Sequence, residues 1–178
     1  YDRNAPFTQD NVKALNALGL NAMFIPEAYG GHPMSYCAYL ACVREISKAC
    51  ASTGIIWATN FHGAKPVITY GSEEQKQRLL PRVAEGGLVS LVITEAGAGS
   101  DATGMRMRFE PHGDDIVVNG SKTFITSGDV ADLLLVFGKW SEIADAKGAI
   151  SALVVEKGTP GLSVLRTEDK LGHRGSST

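Results

Sequence analysis

The chain has 178 residues and a formal net charge of −2, with 44% hydrophobic and 20% charged residues. This composition is typical of a soluble globular protein, and the near-neutral charge argues against a nucleic-acid or anionic-membrane surface. No stretch approaches the ~20 apolar residues of a membrane-spanning helix, and no signal or transit peptide is evident. The three cysteines match no metal-ligand or redox spacing, which favours reduced thiols in a reducing compartment.

The first half of the chain has the apolar spacing of helices. Residues 12–18 repeat apolar side chains at intervals of three, and Ser35 is a suitable N-cap for a second helix. Residues 53–70 are apolar nearly all round, which predicts a buried helix with a kink or break at Pro66. Residues 72–75 read Ser-Glu-Glu-Gln, a capping box that opens a fourth helix.

The second half has the alternation of strands. Apolar and charged residues alternate from Met105 to Glu110, which predicts a sheet with one face toward water, and Asn119-Gly120 is a strong hairpin signal. Further strands are predicted at residues 88–93, 116–118, 122–126, 133–137, 150–155 and 162–165. The fold class predicted is α+β, with an all-α helical domain at residues 1–87 and an antiparallel β-barrel or sandwich at residues 88–178.

Residues 92–101 carry more polar groups than packing explains. They read Val-Ile-Thr-Glu-Ala-Gly-Ala-Gly-Ser-Asp, so a strand ends in hydroxyls, glycines and carboxylates. Glycines let backbone N–H groups approach a ligand closely, and Thr94 and Ser100 add hydroxyl donors. The pattern suits a phosphate or a polar heterocycle, and it is equally typical of an ordinary polar loop.

Residues 119–128 are the second candidate segment, with the sequence Asn-Gly-Ser-Lys-Thr-Phe-Ile-Thr-Ser-Gly. On a strand, Phe124 and Thr126 share one face, where an aromatic ring and a hydroxyl suit a flat conjugated ligand. Taken alone, the segment favours the simpler interpretation of a core phenylalanine beside a surface threonine.

Together the two segments resemble the middle-domain signatures of acyl-CoA dehydrogenases, T-E-P-G-A-G-S-D and N-G-x-K-x-W/F-I-T-N-G. Four further stretches also resemble the family, in the same order: residues 25–31, 70–76, 158–162 and 168–176. The resemblance implies a helical N-terminal domain and a middle β-barrel. The family's C-terminal four-helix domain is expected to lie outside this sequence, which begins at Tyr1 and is expected to be part of a longer protein. Ala96 and Ser127 stand where the family often has Pro and Asn.

The resemblance also implies the chemistry. Family members hold FAD and remove hydrogens from Cα and Cβ of an acyl-CoA thioester, which gives a trans-2-enoyl-CoA. A hydride passes to flavin N5 and the electrons pass to an electron-transferring flavoprotein, as in fatty acid β-oxidation. The implied assembly is a homotetramer in the bacterial cytoplasm or mitochondrial matrix, with no nucleic-acid, membrane or metal partner. No catalytic residue is assigned here, because the base is expected in the C-terminal domain; Glu95 and Asp101 are not promoted to that role.

Carried over residue by residue, the resemblance implies two sets of contacts. The implied flavin-binding residues are Leu91, Ile93, Thr94, Gly99, Ser100, Phe124 and Thr126. The implied substrate-binding residues are Ser100, Ile55, Ala58 and His62, although a structural histidine is the more common case for His62.

Two rival interpretations share the fold. One is a flavoenzyme of other chemistry, such as a nitroalkane oxidase or a hydroxylase, and the base supplied by the C-terminal domain would discriminate it. The other is a catalytically silent flavin-binding protein of a stress-response or nucleic-acid-associated branch, and the near-neutral charge argues weakly against a nucleic-acid role.

Overall fold

The structure is a computed structural model that describes residues 7–145 and 148–178. The first six residues of the predicted helical domain lie outside the described part. None of the helices in the described ranges combines the length and apolar character needed to traverse a lipid bilayer.

The described part of the helical half, from residue 7 onward, forms four α-helices. They are α1 (Gln9–Ala17), α2 (Tyr36–Ala49), α3 (Ala51–Tyr70) and α4 (Glu73–Ala84), with short 3-10 turns at Leu20–Phe24 and Glu27–Tyr29. The Ser35 hydroxyl accepts the backbone N–H of Ala38 and caps α2, and the capping box of α4 forms between Ser72 and Gln75 as predicted. Helix α3 runs through Pro66 without a break.

In the second half, the residues that the structure describes form five strands, which pair in one mixed sheet. They are β1 (Val89–Val92), β2 (Arg108–His112), β3 (Asp115–Asn119), β4 (Leu133–Trp140) and β5 (Ile150–Glu156). Strands β2–β3 and β4–β5 pair antiparallel, whereas β1 and β2 both pair parallel to β4. Strand β5 pairs with one edge of β4 along most of its length. On the other edge, β1 pairs with residues 133–136 and β2 with residues 139–140.

The predicted order of a helical domain followed by a β domain is confirmed, with a correction to the sheet. The sheet is mixed and open rather than a strictly antiparallel barrel. Alternation along one strand reveals its faces but not its edge partners. The parallel pairing of β1 with β4 could therefore not be predicted from the sequence.

Three local predictions are also corrected. No hairpin forms at Asn119-Gly120, because β3 is not followed by a paired strand there; the turn between β2 and β3 lies at Gly113-Asp114. Gly120 instead approaches a neighbouring chain segment, because a Cβ there would lie 2.9 Å from the Cα of Met107. Residues 122–126 and 162–165 do not form strands.

Strand β4 is buried on both faces, which explains its nearly continuous apolar sequence. Leu133 and Leu135 belong to the cluster packed by the helices, whereas Leu134 and Val136 pack with Phe109 and other residues of the sheet. Helix α3 meets the adjacent strand closely: a Cβ on Gly63 would lie only 2.7 Å from the carbonyl oxygen of Val89. The helices therefore support the strand that leads into the first candidate segment.

Candidate functional site

The two segments singled out by the sequence lie side by side in the structure. The backbone N–H of Thr123 donates to the carbonyl oxygen of Thr94 at 2.9 Å. The hydroxyl of Ser90, on β1, donates to the carbonyl oxygen of Thr126 at 2.6 Å. Residues 121–126 therefore run along the end of β1, next to the loop that follows that strand.

The loop after β1 opens with a tight turn from Glu95 to Ala98. The Glu95 N–H donates to the Ala98 carbonyl at 3.1 Å, and the Ala98 N–H donates to the Glu95 carbonyl at 3.0 Å. Ala98 is buried, whereas Gly97 and Gly99 are exposed and a Cβ on either would have no neighbour within 4 Å. The glycines thus leave an open surface on which another molecule can approach the backbone.

The second segment is irregular, which corrects the strand predicted at residues 122–126. The φ angle is 57° at Phe124 and 60° at Ser127, in the left-handed region that non-glycine residues seldom adopt. The alternation of faces used to place Phe124 beside Thr126 holds only for extended chain, so it does not apply here. Phe124 is 65% exposed, and Thr126 is half-buried.

Unused hydrogen-bonding groups lie along these two segments. In residues 7–145 and 148–178, the hydroxyls of Thr94, Ser100 and Thr126 make no hydrogen bond, and neither do the backbone N–H groups of Gly97 and Gly99. The isoalloxazine edge and the pyrophosphate of FAD are rich in oxygen and nitrogen acceptors. The donor set, together with the exposed ring of Phe124, therefore fits a planar, phosphorylated cofactor.

Glu95 is held by the protein rather than left free for chemistry. Its Oε1 accepts the Lys122 ammonium at 2.9 Å and the Met107 N–H at 3.0 Å, and its Oε2 accepts the Arg106 N–H at 2.7 Å. Burial by itself raises the pKa of Glu95, but the bonds from Lys122, Arg106 and Met107 together outweigh it and hold the pKa below its ordinary value. Such a carboxylate is suited to a structural role and not to proton abstraction.

Asp101, the other carboxylate of the loop, is exposed and accepts the Thr103 hydroxyl at 2.5 Å. No hydrogen bond joins it to the second segment in the described ranges. The geometry gives no reason to assign it a catalytic role.

Sequence reasoning missed two residues that bring the segments together, Ser90 and Lys122. Lys122 donates to the Ile93 carbonyl at 2.7 Å as well as to Glu95. Neither contact has a local signal, because each joins residues far apart in the chain. The one available hint was a lysine inside an otherwise uncharged stretch with strand-like composition.

A cavity of about 330 Å³ opens beside the Glu95–Ala98 turn. Its lining residues are Glu95, Ala96, Gly97, Gly104, Arg106, Met107, Gly120 and Ser121. Thr94, Phe124 and Thr126 do not line it, so the side chains predicted to touch a flavin ring lie outside this cavity.

The predicted substrate residues other than Ser100 lie on α3. Ile55 and Ala58 are half-buried and His62 is exposed. The Ala58 carbonyl accepts the Tyr39 hydroxyl at 3.1 Å, and the His62 ring lies 6.1 Å from that of Phe61. No hydrogen bond or ring contact in the described ranges joins these α3 residues to either segment, so their substrate role stays a prediction.

Comparison with known families covers nearly the whole chain. Residues 1–87 match the family described as acyl-CoA dehydrogenase, N-terminal domain, and residues 90–178 match the acyl-CoA dehydrogenase, middle domain. The chain belongs to the acyl-CoA dehydrogenase family. The resemblance seen in the two segments is therefore confirmed over both halves of this dehydrogenase-family chain.

Two curated relatives illustrate the similarity. A probable acyl-CoA dehydrogenase of Bacillus subtilis is 40% identical and is matched over 99% of this chain and 47% of its own length. The mitochondrial short-chain specific acyl-CoA dehydrogenase of Homo sapiens is also 40% identical, over 99% of this chain and 43% of its own length. The chain thus spans less than half the length of these relatives.

Solved structures show the same fold. Butyryl-CoA dehydrogenase from Megasphaera elsdenii superposes with a TM-score of 0.92 at 31% identity, over 99% of this chain and 47% of its own. An acyl-CoA dehydrogenase complexed with FAD from Bacillus anthracis gives 0.84 at 32% identity, over 93% and 28%. A chain in a structure of the electron transferring flavoprotein of Acidaminococcus fermentans gives 0.94 at 34% identity, over 99% and 47%.

Proposed function

We propose that this chain supplies the flavin-binding face of an FAD-dependent acyl-CoA dehydrogenase, which converts an acyl-CoA thioester to the trans-2-enoyl-CoA. The observation that carries the proposal is the juxtaposition of residues 93–100 and 122–126, with unused hydroxyls on Thr94, Ser100 and Thr126. FAD, when bound, supplies the acceptor for the hydride that leaves Cβ. The relative from Bacillus anthracis that is complexed with FAD supports this cofactor.

The residues of the two segments take distinct roles in this proposal. The Thr94 hydroxyl and the backbone near Leu91 and Ile93 bind the pyrimidine edge of the flavin. Gly99 and Ser100 bind the phosphate-bearing part, where exposed N–H groups and a hydroxyl suit an anion. Phe124 covers the isoalloxazine with its exposed ring.

Thr126 would donate its hydroxyl to flavin N5 in this proposal. Its carbonyl accepts the Ser90 hydroxyl, which fixes the backbone, while its own hydroxyl has no partner in the described ranges. A fixed backbone with a free hydroxyl can orient one hydrogen bond to a ligand at little conformational cost.

The proton at Cα requires a base, which we assign to a residue outside these 178 residues. Glu95 is unsuited because three chain donors occupy its oxygens and lower its pKa, which makes it a weak proton acceptor. Ser100 and the α3 residues Ile55, Ala58 and His62 would line the path of the substrate.

The assembly and partners follow from the same proposal. We assign residues 1–87 and 88–178 to the helical and middle domains of a homotetrameric enzyme in the bacterial cytoplasm or mitochondrial matrix. An electron-transfer flavoprotein is the proposed electron acceptor, supported by the structural match to a chain from such a system.

The test is an anaerobic titration of the full-length, FAD-loaded protein with saturated acyl-CoAs of graded chain length. We expect loss of the oxidised flavin absorbance with at least one length, because the hydride reduces the flavin. The corresponding 2-enoyl-CoA is the matched control: it has the same shape but no hydride to give, so it should leave the flavin oxidised. A protein that binds FAD but is bleached by no acyl-CoA would contradict the dehydrogenase and favour the rival interpretations.

A further inference from the structure

A buried ion pair lies beneath the proposed flavin surface. The Lys122 ammonium and the Glu95 carboxylate are 2.9 Å apart, and their side chains are only 5% and 10% exposed. Each belongs to one of the two segments: Glu95 follows Thr94 directly, and Lys122 precedes Thr123. The pair therefore stands at the point where the two segments are joined.

The pair connects three stretches of backbone. Lys122 donates to the Ile93 carbonyl at 2.7 Å, and Glu95 accepts the N–H groups of Arg106 and Met107 at 2.7 and 3.0 Å. Loop 93–95, residues 106–107 and the start of the second segment are thereby held in one arrangement. Because hydrogen bonds to charged groups are short and directional, this arrangement has little freedom to shift.

Stability alone is a weak reason for such a pair. Removing two charges from water is unfavourable, and buried ion pairs are often no more stabilising than apolar residues of the same volume. What the pair provides in addition is a fixed geometry, because every short contact depends on the positions of both charges.

The pair also leaves the ligand-facing groups free. Lys122 and Glu95 direct their contacts to each other and to the backbone, while in the described ranges the hydroxyls of Thr94 and Thr126 make no hydrogen bond. Thr94 is adjacent to Glu95, so a shift of the carboxylate moves the hydroxyl that the flavin would meet.

We infer that Lys122 and Glu95 are positioning residues that hold the two flavin-binding segments in their binding arrangement before the cofactor arrives. The inference rests on the proposed function, since it concerns the affinity of the same surface for FAD. The pair acts through the backbone of the loop that carries Thr94 and of the segment that carries Thr126, since its hydrogen bonds go to Ile93, Arg106 and Met107 and between its own two charges. Its loss therefore weakens FAD binding more than it weakens the fold.

The test replaces both charges with neutral side chains of similar shape, in the variant Lys122→Met/Glu95→Gln of the full-length protein. Flavin is removed, FAD is titrated back, and the unfolding midpoint of the flavin-free protein is measured beside the affinity. We expect the Kd for FAD to rise by about tenfold or more, the size of effect that follows loss of residues orienting metal ligands, and by more than any fall in the midpoint explains.

The matched control is the exposed ion pair between α4 and β5. Arg82 and Glu156 are 2.8 Å apart, with side chains 43% and 45% exposed. The Arg82→Met/Glu156→Gln variant makes the same chemical change away from the flavin surface, so its FAD affinity should equal that of the wild type.

The outcomes separate the two proposals. Wild-type protein that takes up no FAD would refute the proposed function. Wild-type binding with an unchanged Kd in the double variant would overturn the positioning role alone, and so would an affinity loss that merely follows a fall in the unfolding midpoint. Should the double variant not fold, Glu95→Asp keeps both charges and withdraws the carboxylate by one methylene; weaker FAD binding at an unchanged midpoint supports the inference, and unchanged binding refutes it.

Discussion

Two phenylalanines show how differently the structure uses two regions of its β half. Phe109, on β2, is 0% exposed; its ring meets the Trp140 ring edge-on at 6.4 Å, and a Cβ on Gly138 would lie 2.6 Å from it. Phe124 is 65% exposed, has φ 57° and has no ring partner in the described ranges. One ring stabilises the sheet, whereas the other is held at the surface.

The difference indicates that the backbone around Phe124 is less favourable for folding and is suited to binding a ligand. A non-glycine residue in the left-handed region costs on the order of 1–3 kcal/mol when neighbouring contacts hold it there. The contacts that do so flank Phe124: the Thr123 N–H bonds the Thr94 carbonyl, and the Thr126 carbonyl accepts the Ser90 hydroxyl. An exposed aromatic ring on a strained backbone, next to hydroxyls that make no hydrogen bond in the described ranges, is typical of a ligand-binding surface.

The largest expected effect comes from truncating each ring in turn. Phe109→Ala should lower the free energy of unfolding by about 3–5 kcal/mol, because it leaves a cavity at a fully buried site. Phe124→Ala should change it by no more than about 0.5 kcal/mol, as for other exposed positions. Urea unfolding of the flavin-free protein measures both values.

The same two variants should show the reverse order in flavin binding. Phe124→Ala should release FAD more readily because it loses an aromatic contact surface, whereas any folded fraction of Phe109→Ala should bind normally. If Phe124→Ala were as unstable as Phe109→Ala, the contrast between the two regions would be wrong.

The Thr126 hydroxyl should matter for the rate of flavin reduction and not for stability. Thr126→Ala should slow flavin reduction by about tenfold to a hundredfold, because a positioned hydrogen bond near the reacting atom is lost. The stability of the flavin-free protein should barely change, since the hydroxyl has no partner in the described ranges. Single-turnover bleaching by a saturating acyl-CoA, followed by stopped-flow absorbance, gives the rate.

Thr126→Ser is the matched control, because it keeps the hydroxyl and removes only a methyl group. Its reduction rate should stay near that of the wild type. A Thr126→Ala protein that reduces at the wild-type rate would refute the role assigned to this hydroxyl.

The regular region was predictable from the sequence for physical reasons. Strand β4 is buried on both faces and helix α3 buries a broad face that includes Ile56 and Trp57, so their apolar runs were clear signals. The alternation from Met105 to Glu110 also holds, with Met105, Met107 and Phe109 buried and the intervening arginines exposed. In each case the pattern of apolar residues along the chain follows directly from which faces of the element are buried.

The irregular region was not predictable from the same signals. Thr123 to Thr126 has the β-branched and aromatic composition of a strand, but Thr94 and Ser90 take up backbone groups that a sheet ladder would need. Asn119-Gly120 has turn composition, yet Gly120 serves a close approach to Met107. The ion pair of Lys122 with Glu95 joins residues distant in sequence, and only the fold reveals it.

The smallest expected effect is on the pH dependence of stability, which should differ between the buried and the exposed ion pair. The pKa of Glu95 is depressed in the folded chain, so its charge adds stability above its unfolded pKa of about 4.3 and that contribution is lost as pH falls through the folded value. Glu95→Gln should therefore be less stable than the wild type near neutral pH, and this difference in the free energy of unfolding should narrow below about pH 4 as the wild-type carboxylate is protonated.

Glu156, whose pKa is depressed chiefly by its bond to Arg82, is half-exposed and screened by solvent. Glu156→Gln should thus stay within about 0.5 kcal/mol of the wild type throughout. Chemical unfolding at a series of pH values gives both curves, and a Glu95→Gln gap that stayed constant down to about pH 3 would show that folding does not lower the pKa of Glu95.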